Sequence, residues 1–205
     1  MNERHKRRKG EFMENKKTER RKIVAVIGNK HVDEGSIRPQ MAYDIGKALV
    51  DNGYRVLTGG VNGVMKAAME GARASKNYRE GDTIAIIPSF DSEMANEYAD
   101  VVIPTGLDAM RNAIVSNSYA VIGVGGGAGT LCEYAFAWSF KRLIIAFENT
   151  GGWSEKLAGT RIANDNRYPN IPEDKVYGVT SADEAIELLN KYIDEYTVRH
   201  IGIVE

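Results

Sequence analysis

The chain has 205 residues, of which 43% are hydrophobic and 27% are charged, and its formal net charge at pH 7 is −1. A chain of this length can bury one sizeable core, so a single domain is expected. Its single cysteine, Cys132, excludes an intramolecular disulfide and a cysteine-based zinc cluster, which fits a reducing compartment.

The chain begins with a basic segment. Residues 1–21 contain nine Lys or Arg and four Glu, a local charge of +5, so the remaining chain carries −6. Because this segment has little apolar surface to bury, we predict a disordered arm at 1–21 and a single domain at 22–205. The acidic body argues against nucleic acid as a main partner, since duplex binding depends on a basic surface. The pattern indicates neither a signal peptide nor a membrane span, so we expect a cytoplasmic protein that does not contact a membrane.

From Lys22 onward, short β-branched runs alternate with segments of helical period, which is typical of βαβ units. Between Met41 and Leu49 the apolar residues follow i, i+4, i+7, i+8 spacing, which predicts an amphipathic helix that ends near Asn52-Gly53. The predicted elements of the first half are a strand at 23–27, that helix, a strand at 55–57, a helix from the turn 58–63 to residue 72, and a strand at 83–87.

The second half continues this alternation. We predict a strand at 100–103, a helix at about 107–117, a strand at 120–124, a helix at about 130–140, a strand at 143–147, and a loop-rich stretch from 148 to 172. A capping box from Ser181 to Glu184 begins a last helix, whose apolar stripe extends to Tyr192. Because the strands are almost continuously apolar, both faces of the sheet must be covered. The predicted fold class is α/β, a Rossmann-like three-layer α/β/α arrangement with a parallel sheet.

The most informative motif is a glycine run that follows a predicted strand and precedes a predicted helix, Gly125-Gly126-Gly127-Ala128-Gly129-Thr130. Such a turn lets backbone N–H groups approach an anion, and the helix N-terminus adds about half a positive charge. We therefore expect residues 126–130 to bind a phosphate group. Glu133, one helical turn further on, would lie on the same face as Thr130. The alternative is a tight turn in which Thr130 only caps the helix.

Two further turns are expected at the same edge of the sheet. One follows the second strand and contains Gly59, Gly60 and Gly63. The other follows the first strand and contains Gly28, Asn29 and Lys30. Because the carboxyl ends of parallel strands share one edge, we expect these turns to line the same ligand site. Taken alone, each turn is also typical of simple packing.

Arg111 and Asn112 precede the glycine-run strand. An arginine can bind a phosphate with two parallel hydrogen bonds, which makes Arg111 a candidate ligand residue, with a solvent-exposed arginine as the alternative. No metal site is predicted, since the histidines lack a metal-ligand spacing, and no catalytic triad is indicated. The histidines are His5, His31 and His200.

The helix after the glycine run carries four aromatic residues on several of its faces, Tyr134, Phe136, Trp138 and Phe140. Such a helix is too apolar for a solvated surface, so we expect part of it to be buried against a partner subunit. We therefore predict a homodimer or a homotetramer.

These motifs resemble those of a known superfamily. Residues 125–133, GGGAGTLCE, resemble the PGGxGTxxE signature of the cytokinin-activating phosphoribohydrolases and of the proteins labelled lysine decarboxylase-like. The turn 58–65 is similar to the second glycine loop of that superfamily, GGGxxGLM. The resemblance covers Lys22 to Phe147. It implies a nucleotide-binding Rossmann-like domain that holds a phosphorylated small molecule.

The resemblance leaves two functions open. In the phosphoribohydrolases it implies cleavage of the N-glycosidic bond of a nucleoside 5′-monophosphate, with Glu133 and Arg111 as the catalytic groups. This chain departs from their pattern, because Gly125 replaces a proline, Asn112 replaces a lysine, and Arg111 lies one residue closer to the glycine run. The second branch contains proteins similar to molybdenum cofactor carriers, which bind a pterin phosphate without chemistry, and the sequence from Met110 to Asn112 resembles it more closely. Neither function requires a cofactor, and the bound ligand would be a nucleotide or the molybdenum cofactor.

Overall fold

The computed structural model describes residues 20–198. Most of the predicted arm and the last seven residues lie outside this range, so the arm stays a prediction. Within residues 20–198, seven strands form one sheet: β1 (Ile23–Gly28), β2 (Arg55–Thr58), β3 (Thr83–Ile87), β4 (Val101–Pro104), β5 (Ala120–Val124), β6 (Leu143–Phe147) and β7 (Val176–Val179). The α-helices of the same range are α1 (Arg38–Asp51), α2 (Val64–Arg73), α3 (Asn112–Ser116), α4 (Ala128–Ser139), α5 (Gly152–Leu157) and α6 (Ala182–Tyr192). None of these helices is long and apolar enough to cross a membrane.

The strands are all parallel, and helices cover both faces of the sheet. On one face α1, α2 and α6 bury apolar side chains such as Ile45, Ala68 and Leu189. On the other face α4 buries Tyr134 and Trp138. The sheet interior is almost entirely apolar, which explains why the strands show no alternation of polar residues. The predicted three-layer α/β/α fold is confirmed.

The order of the strands, β4-β3-β2-β1-β5-β6-β7, determines where a ligand can bind. After β1 the chain moves outward through β2, β3 and β4, and then returns to β5, which pairs with the other side of β1. In open α/β sheets a crevice forms outside the carboxyl ends of the strands where the order reverses in this way. Gly28 pairs in register with Val124, so the turns that follow β1 and β5 lie side by side.

Some element boundaries differ from the prediction. Helix α4 begins at Ala128 rather than near Thr130, because Gly127 is its N-cap residue. The predicted helix at 107–117 is a 3₁₀ turn, Asp108–Arg111, followed by the short α3, and Asp108 has a φ of +47° that interrupts a regular helix.

Two elements are absent from the prediction. Helix α5 lies inside the stretch that was predicted to be loop-rich, and β7 follows that stretch. They contain six and four residues, which is too short for a helical or alternating period to stand out. Both elements are defined by their contacts with β6 and with the glycine run rather than by their own sequence.

The aromatic residues of α4 are only partly available to a partner subunit. Tyr134 and Trp138 are buried within the chain itself, and the Tyr134 hydroxyl lies 2.8 Å from Oγ of Ser154. Phe136 and Phe140 stack with ring centroids 5.7 Å apart and are partly exposed. A single chain therefore accounts for Tyr134 and Trp138, and the prediction of an assembly depends on other surfaces.

Candidate functional site

A cleft of about 370 Å³ lies at the reversal point of the sheet, outside the carboxyl ends of β1 and β5. Its floor is formed by three polar side chains, those of Arg111, Asn112 and Glu133. The first turn of α4 and the neighbouring turn after β1, residues 28–31, also line it. An apolar wall consists of Val61, Met65 and Pro88. We call this the switch-point cleft.

The glycine run has two halves with different environments. Gly125 and Gly126 are buried, and protein atoms already pair their backbone groups: the N–H groups donate to Thr150 Oγ1 and Asn29 Oδ1, and the carbonyls accept from residues of α5. Gly127, Ala128 and Gly129 are exposed. The structure therefore separates Gly126, which was predicted to contact a phosphate, from the three residues that follow it.

Those three residues form an anion-binding geometry. The first N–H groups of an α-helix have no partner within the helix, and no side chain caps the N-terminus of α4. The helix dipole adds partial positive charge at the same point. Thr130, in the first turn, is 3% exposed and lines the cleft. The exposed residues Lys30 and His31 line the cleft from the turn after β1.

The second glycine turn has a packing role. Gly60 has a φ of +75°, and its N–H donates to Thr58 Oγ1 at 3.0 Å, while its carbonyl accepts from Asn96. A Cβ at Gly63 would overlap the backbone of Asn29. Neither Gly60 nor Gly63 lines the switch-point cleft within the part of the chain that the structure describes.

Gly59 makes room for the arginine of the site. A Cβ on Gly59 would overlap the guanidinium of Arg111, so only glycine lets the side chain of Arg111 lie across this turn. Gly28 has a similar role at the end of β1, where a Cβ would overlap the carbonyl oxygen of Val124. The predicted glycines therefore shape the cleft as well as line it.

Arg111 and Glu133 form a buried ion pair at the cleft floor. Nη1 of Arg111 lies 3.2 Å from Oε1 of Glu133, and the two side chains are 11% and 9% exposed. Burial raises the pKa of Glu133 to about 7, and it outweighs the opposing effect of the guanidinium. Nε of Arg111 is buried and has no hydrogen-bond partner among the residues described. The floor thus combines a carboxyl group that titrates near neutral pH with an unused N–H donor.

Asn112 joins this floor to the first turn of α4. Its side-chain Nδ2 donates to the carbonyl oxygen of Gly129 at 3.4 Å, and the residue is 7% exposed. The tertiary structure therefore brings together eight of the predicted site residues around one cleft: Gly28, Asn29, Arg111, Asn112, Gly127, Gly129, Thr130 and Glu133. The other five predicted residues lie behind or beside its lining: Gly59, Gly60, Gly63, Gly126 and Ala128.

Several residues of the cleft were not predicted. Val61 lies in the second glycine turn, Met65 lies in the first turn of α2, and Pro88 directly follows β3, so their positions after strands were a usable signal. Thr150, which lies outside the cleft lining and bonds to the glycine run, had no local signal, because its bond to Gly125 spans 25 residues. Within residues 20–198, no group of three or more His, Cys, Asp or Glu side chains could hold a metal ion.

The fold and the cleft define a Rossmann-like α/β protein with a ligand cleft at the reversal point of its sheet. The chain belongs to the SLOG cluster4 family, which it matches over residues 21–179. An uncharacterized protein of Archaeoglobus fulgidus is 37% identical over 115 residues, which is 56% of this chain and 72% of that protein.

Two solved structures extend this relationship. The molybdenum cofactor binding protein of Rippkaea orientalis is 30% identical, with a TM-score of 0.67, and the similarity covers 85% of this chain and 98% of that one. The Moco carrier protein of Chlamydomonas reinhardtii is 27% identical, with a TM-score of 0.68, over 86% and 99% of the two chains. The predicted membership of the phosphoribohydrolase-like superfamily, on the branch of the molybdenum cofactor carriers, is confirmed.

Proposed function

We propose that this protein binds a phosphorylated, nucleotide-like small molecule in the switch-point cleft, and that it acts as a molybdenum cofactor carrier-like protein. The ligand class comprises pterin phosphates and nucleoside monophosphates. The observation that carries the proposal is the exposed first turn of α4, which lines the cleft and has no side-chain cap. Its unpaired N–H groups need an acceptor, and a phosphate supplies several.

The phosphate would lie against residues 127–129. No atom lies within 4 Å of a Cβ placed on Gly127, and the nearest atom to one on Gly129 is Asn112 Nδ2 at 3.9 Å. This turn is therefore open to a ligand. The partial charge of the helix N-terminus and the ammonium group of Lys30 both favour an anion over a neutral group.

The rest of the ligand would lie over the floor and the apolar wall. The volume of about 370 Å³ lies within the range of small-molecule sites, roughly 300–1,000 Å³. Val61 and Met65 provide an apolar surface for a flat ring. Asn112 and Arg111 line the cleft floor and carry side-chain N–H donors, which suit the polar edge of a heterocycle.

The similarity to two molybdenum cofactor proteins favours a pterin phosphate within this class. The residues present fit that group, because the first turn of α4 suits its phosphate and the polar floor suits its ring. As in a carrier, the bound cofactor would be cargo. The residues of this chain would hold its phosphate, orient its ring and shield it from solvent.

The alternative function is hydrolysis of a nucleoside 5′-monophosphate at the N-glycosidic bond. One observation favours it: Glu133 is a buried carboxyl group with a pKa of about 7, which suits proton transfer at neutral pH. Against it, an oxocarbenium-like centre needs an uncompensated negative charge beside the sugar, whereas the charge of an ionised Glu133 is already balanced by Arg111. We therefore favour the carrier.

Mass spectrometry of the small molecules released from freshly purified protein tests the ligand class directly. We expect a pterin phosphate or a nucleoside monophosphate, and the absorption spectrum of the protein before release would reveal a pterin. Titration calorimetry with AMP and with adenosine should then show tighter binding of the phosphorylated compound. Equal affinity for the two compounds would contradict the proposal.

The same preparation separates carrier from hydrolase. Incubation with AMP should release no adenine if the protein is a carrier. If adenine is released, Glu133→Gln should lower turnover at least ~100-fold, equivalent to about 3 kcal/mol of transition-state stabilisation. Robust hydrolysis that survives this substitution would show that Glu133 is not the catalytic carboxylate.

A further inference from the structure

Two residues outside the glycine run accept hydrogen bonds from its first two N–H groups. Gly125 and Gly126 have φ angles of +65° and +104°, a region that glycine adopts without strain. Such residues can rotate to many other conformations, so an empty turn of this kind needs partners that hold it. Thr150 and Asn29 each accept one of its two buried N–H groups.

Thr150 is anchored on three sides. Its Oγ1 accepts the N–H of Gly125 at 2.8 Å and donates to the carbonyl oxygen of Phe147, also at 2.8 Å. Its own carbonyl accepts from Nε of Arg38 at 2.7 Å. The residue is 3% exposed. The hydroxyl therefore joins the end of β6 to the start of the glycine run, and Arg38 ties the same point to α1.

Asn29 holds the next amide from the opposite side. Its Oδ1 accepts the N–H of Gly126 at 2.6 Å, while its backbone carbonyl accepts from Val64 at 2.9 Å. Its position is thus set by the start of α2. The N–H groups of Gly125 and Gly126 are thus bonded within the protein, whereas Gly127, Ala128 and Gly129 are exposed beside the cleft.

We propose that Thr150 and Asn29 are positioning residues, which hold the glycine run in its anion-binding conformation before the ligand arrives. This inference rests on the proposed function, since it assigns to these side chains the preorganisation of the phosphate site. Without the Thr150 hydroxyl, the buried N–H of Gly125 has no acceptor, and the turn must rotate to find one. The rotation displaces the N–H groups that would bind the phosphate.

The test compares Thr150→Val, which keeps the shape but removes the hydroxyl, with Thr150→Ser, which keeps the hydroxyl. Thr160→Val is the matched control, because it removes a similar hydroxyl-to-carbonyl bond, to Leu157, at an exposed site outside the cleft lining. Calorimetry gives the affinity of each variant for AMP and for adenosine. Amide hydrogen exchange of Gly125 in the ligand-free protein reports on the turn itself. Asn29→Leu, at a half-buried position, tests the second amide if Thr150→Val fails to fold.

We expect Thr150→Val to weaken AMP binding about tenfold or more, the effect of losing one hydrogen bond, while adenosine binding changes little. Exchange at Gly125 should accelerate, and Thr150→Ser should restore both values. A loss shared equally by AMP and adenosine, or unchanged AMP affinity despite faster exchange, would overturn the positioning role but leave the proposed function. Unchanged exchange at Gly125 would show that the hydroxyl does not hold the turn. A wild-type protein that does not prefer AMP to adenosine would refute the proposed function itself, and this inference with it.

Discussion

Nη1 of Arg111 lies 3.2 Å from Oε1 of Glu133, and this pair of opposite charges is buried beneath the switch-point cleft. Removing two charges from water is costly, and their attraction offsets this cost only in part. Burial therefore raises the pKa of Glu133 from its usual 4.5 to about 7 despite the neighbouring guanidinium. The site contains a carboxyl group whose charge depends on pH in the physiological range.

This shift predicts a pH dependence of stability. A group whose pKa is higher in the folded state binds its proton more tightly there, so its stabilising effect is complete below the unfolded pKa and is lost as pH rises through the folded pKa. As the pH rises from 4.5 to 7, the titration of Glu133 should therefore lower the free energy of unfolding by about 3 kcal/mol. Glu133→Gln lacks this titration. As the pH rises through this range, the wild type should therefore lose stability relative to the variant.

Urea denaturation at several pH values measures this difference. Glu187→Gln on α6 is a matched control, because it makes the same substitution at an exposed position outside the cleft lining. A constant difference between Glu133→Gln and the wild type from pH 4.5 to pH 8 would mean that Glu133 titrates normally.

A side chain at Gly127 should block the proposed phosphate site without unfolding the protein. Gly127 has a φ of −105° and nothing within 4 Å of its Cβ position, so Gly127→Val is compatible with the fold and fills the open turn. We expect AMP affinity to fall at least about tenfold, the effect of losing a hydrogen bond to a charged group. Thr130→Ala should weaken binding through its lost hydroxyl. Calorimetry measures both effects.

Ala135→Val controls for placing a β-branched residue in α4, since Ala135 is exposed on the same helix and outside the cleft lining. Its AMP affinity should match that of the wild type. If Gly127→Val also binds AMP normally, the first turn of α4 is not the phosphate site.

Gly59→Ala should destabilise the protein through Arg111. A Cβ at this position would overlap the guanidinium, so the variant must move Arg111 and disturb its pairing with Glu133. Such overpacking costs about 1–3 kcal/mol. In an Arg111→Met background the same substitution meets no guanidinium, so its cost should be smaller. A double-mutant cycle of unfolding free energies tests this coupling, and additive effects would rule it out.

We predict a homodimer or homotetramer whose subunit interface is formed by a surface other than the aromatic residues of α4. Met110, in the 3₁₀ turn before α3, and Ile114, within α3, are 65% and 44% exposed, and Ile103 on the edge strand β4 is 44% exposed. Burying such apolar side chains against a second copy would be favourable. The double variant Met110→Lys with Ile114→Lys should lower the mass measured by light scattering at micromolar concentration. Ile37→Lys, at another exposed apolar position, should leave the mass unchanged, and a monomeric wild type would contradict the prediction.

The local sequence was sufficient for the class of fold and for the glycine turn between β5 and α4. Apolar runs such as 120–124 and 143–147 specify buried strands, because only a sheet covered on both faces removes so many apolar side chains from water. Four glycines between a strand and a helix specify a turn with exposed N–H groups, because residues with a side chain rarely adopt the positive φ angles found at Gly125 and Gly126. These signals depend on neighbouring residues and can be identified without the tertiary structure.

The partners within the site were decided by the tertiary structure. Arg111 meets Glu133 across 22 residues, because α3 packs against α4. Asn29 reaches Gly126 across 97 residues, because β1 and β5 are adjacent in the sheet although they are distant in sequence. No local pattern specifies that adjacency, since strand order results from packing the helices on both faces. The pKa of Glu133 follows from the same packing, because burial and charge depend on which segments surround a side chain rather than on which residues precede it.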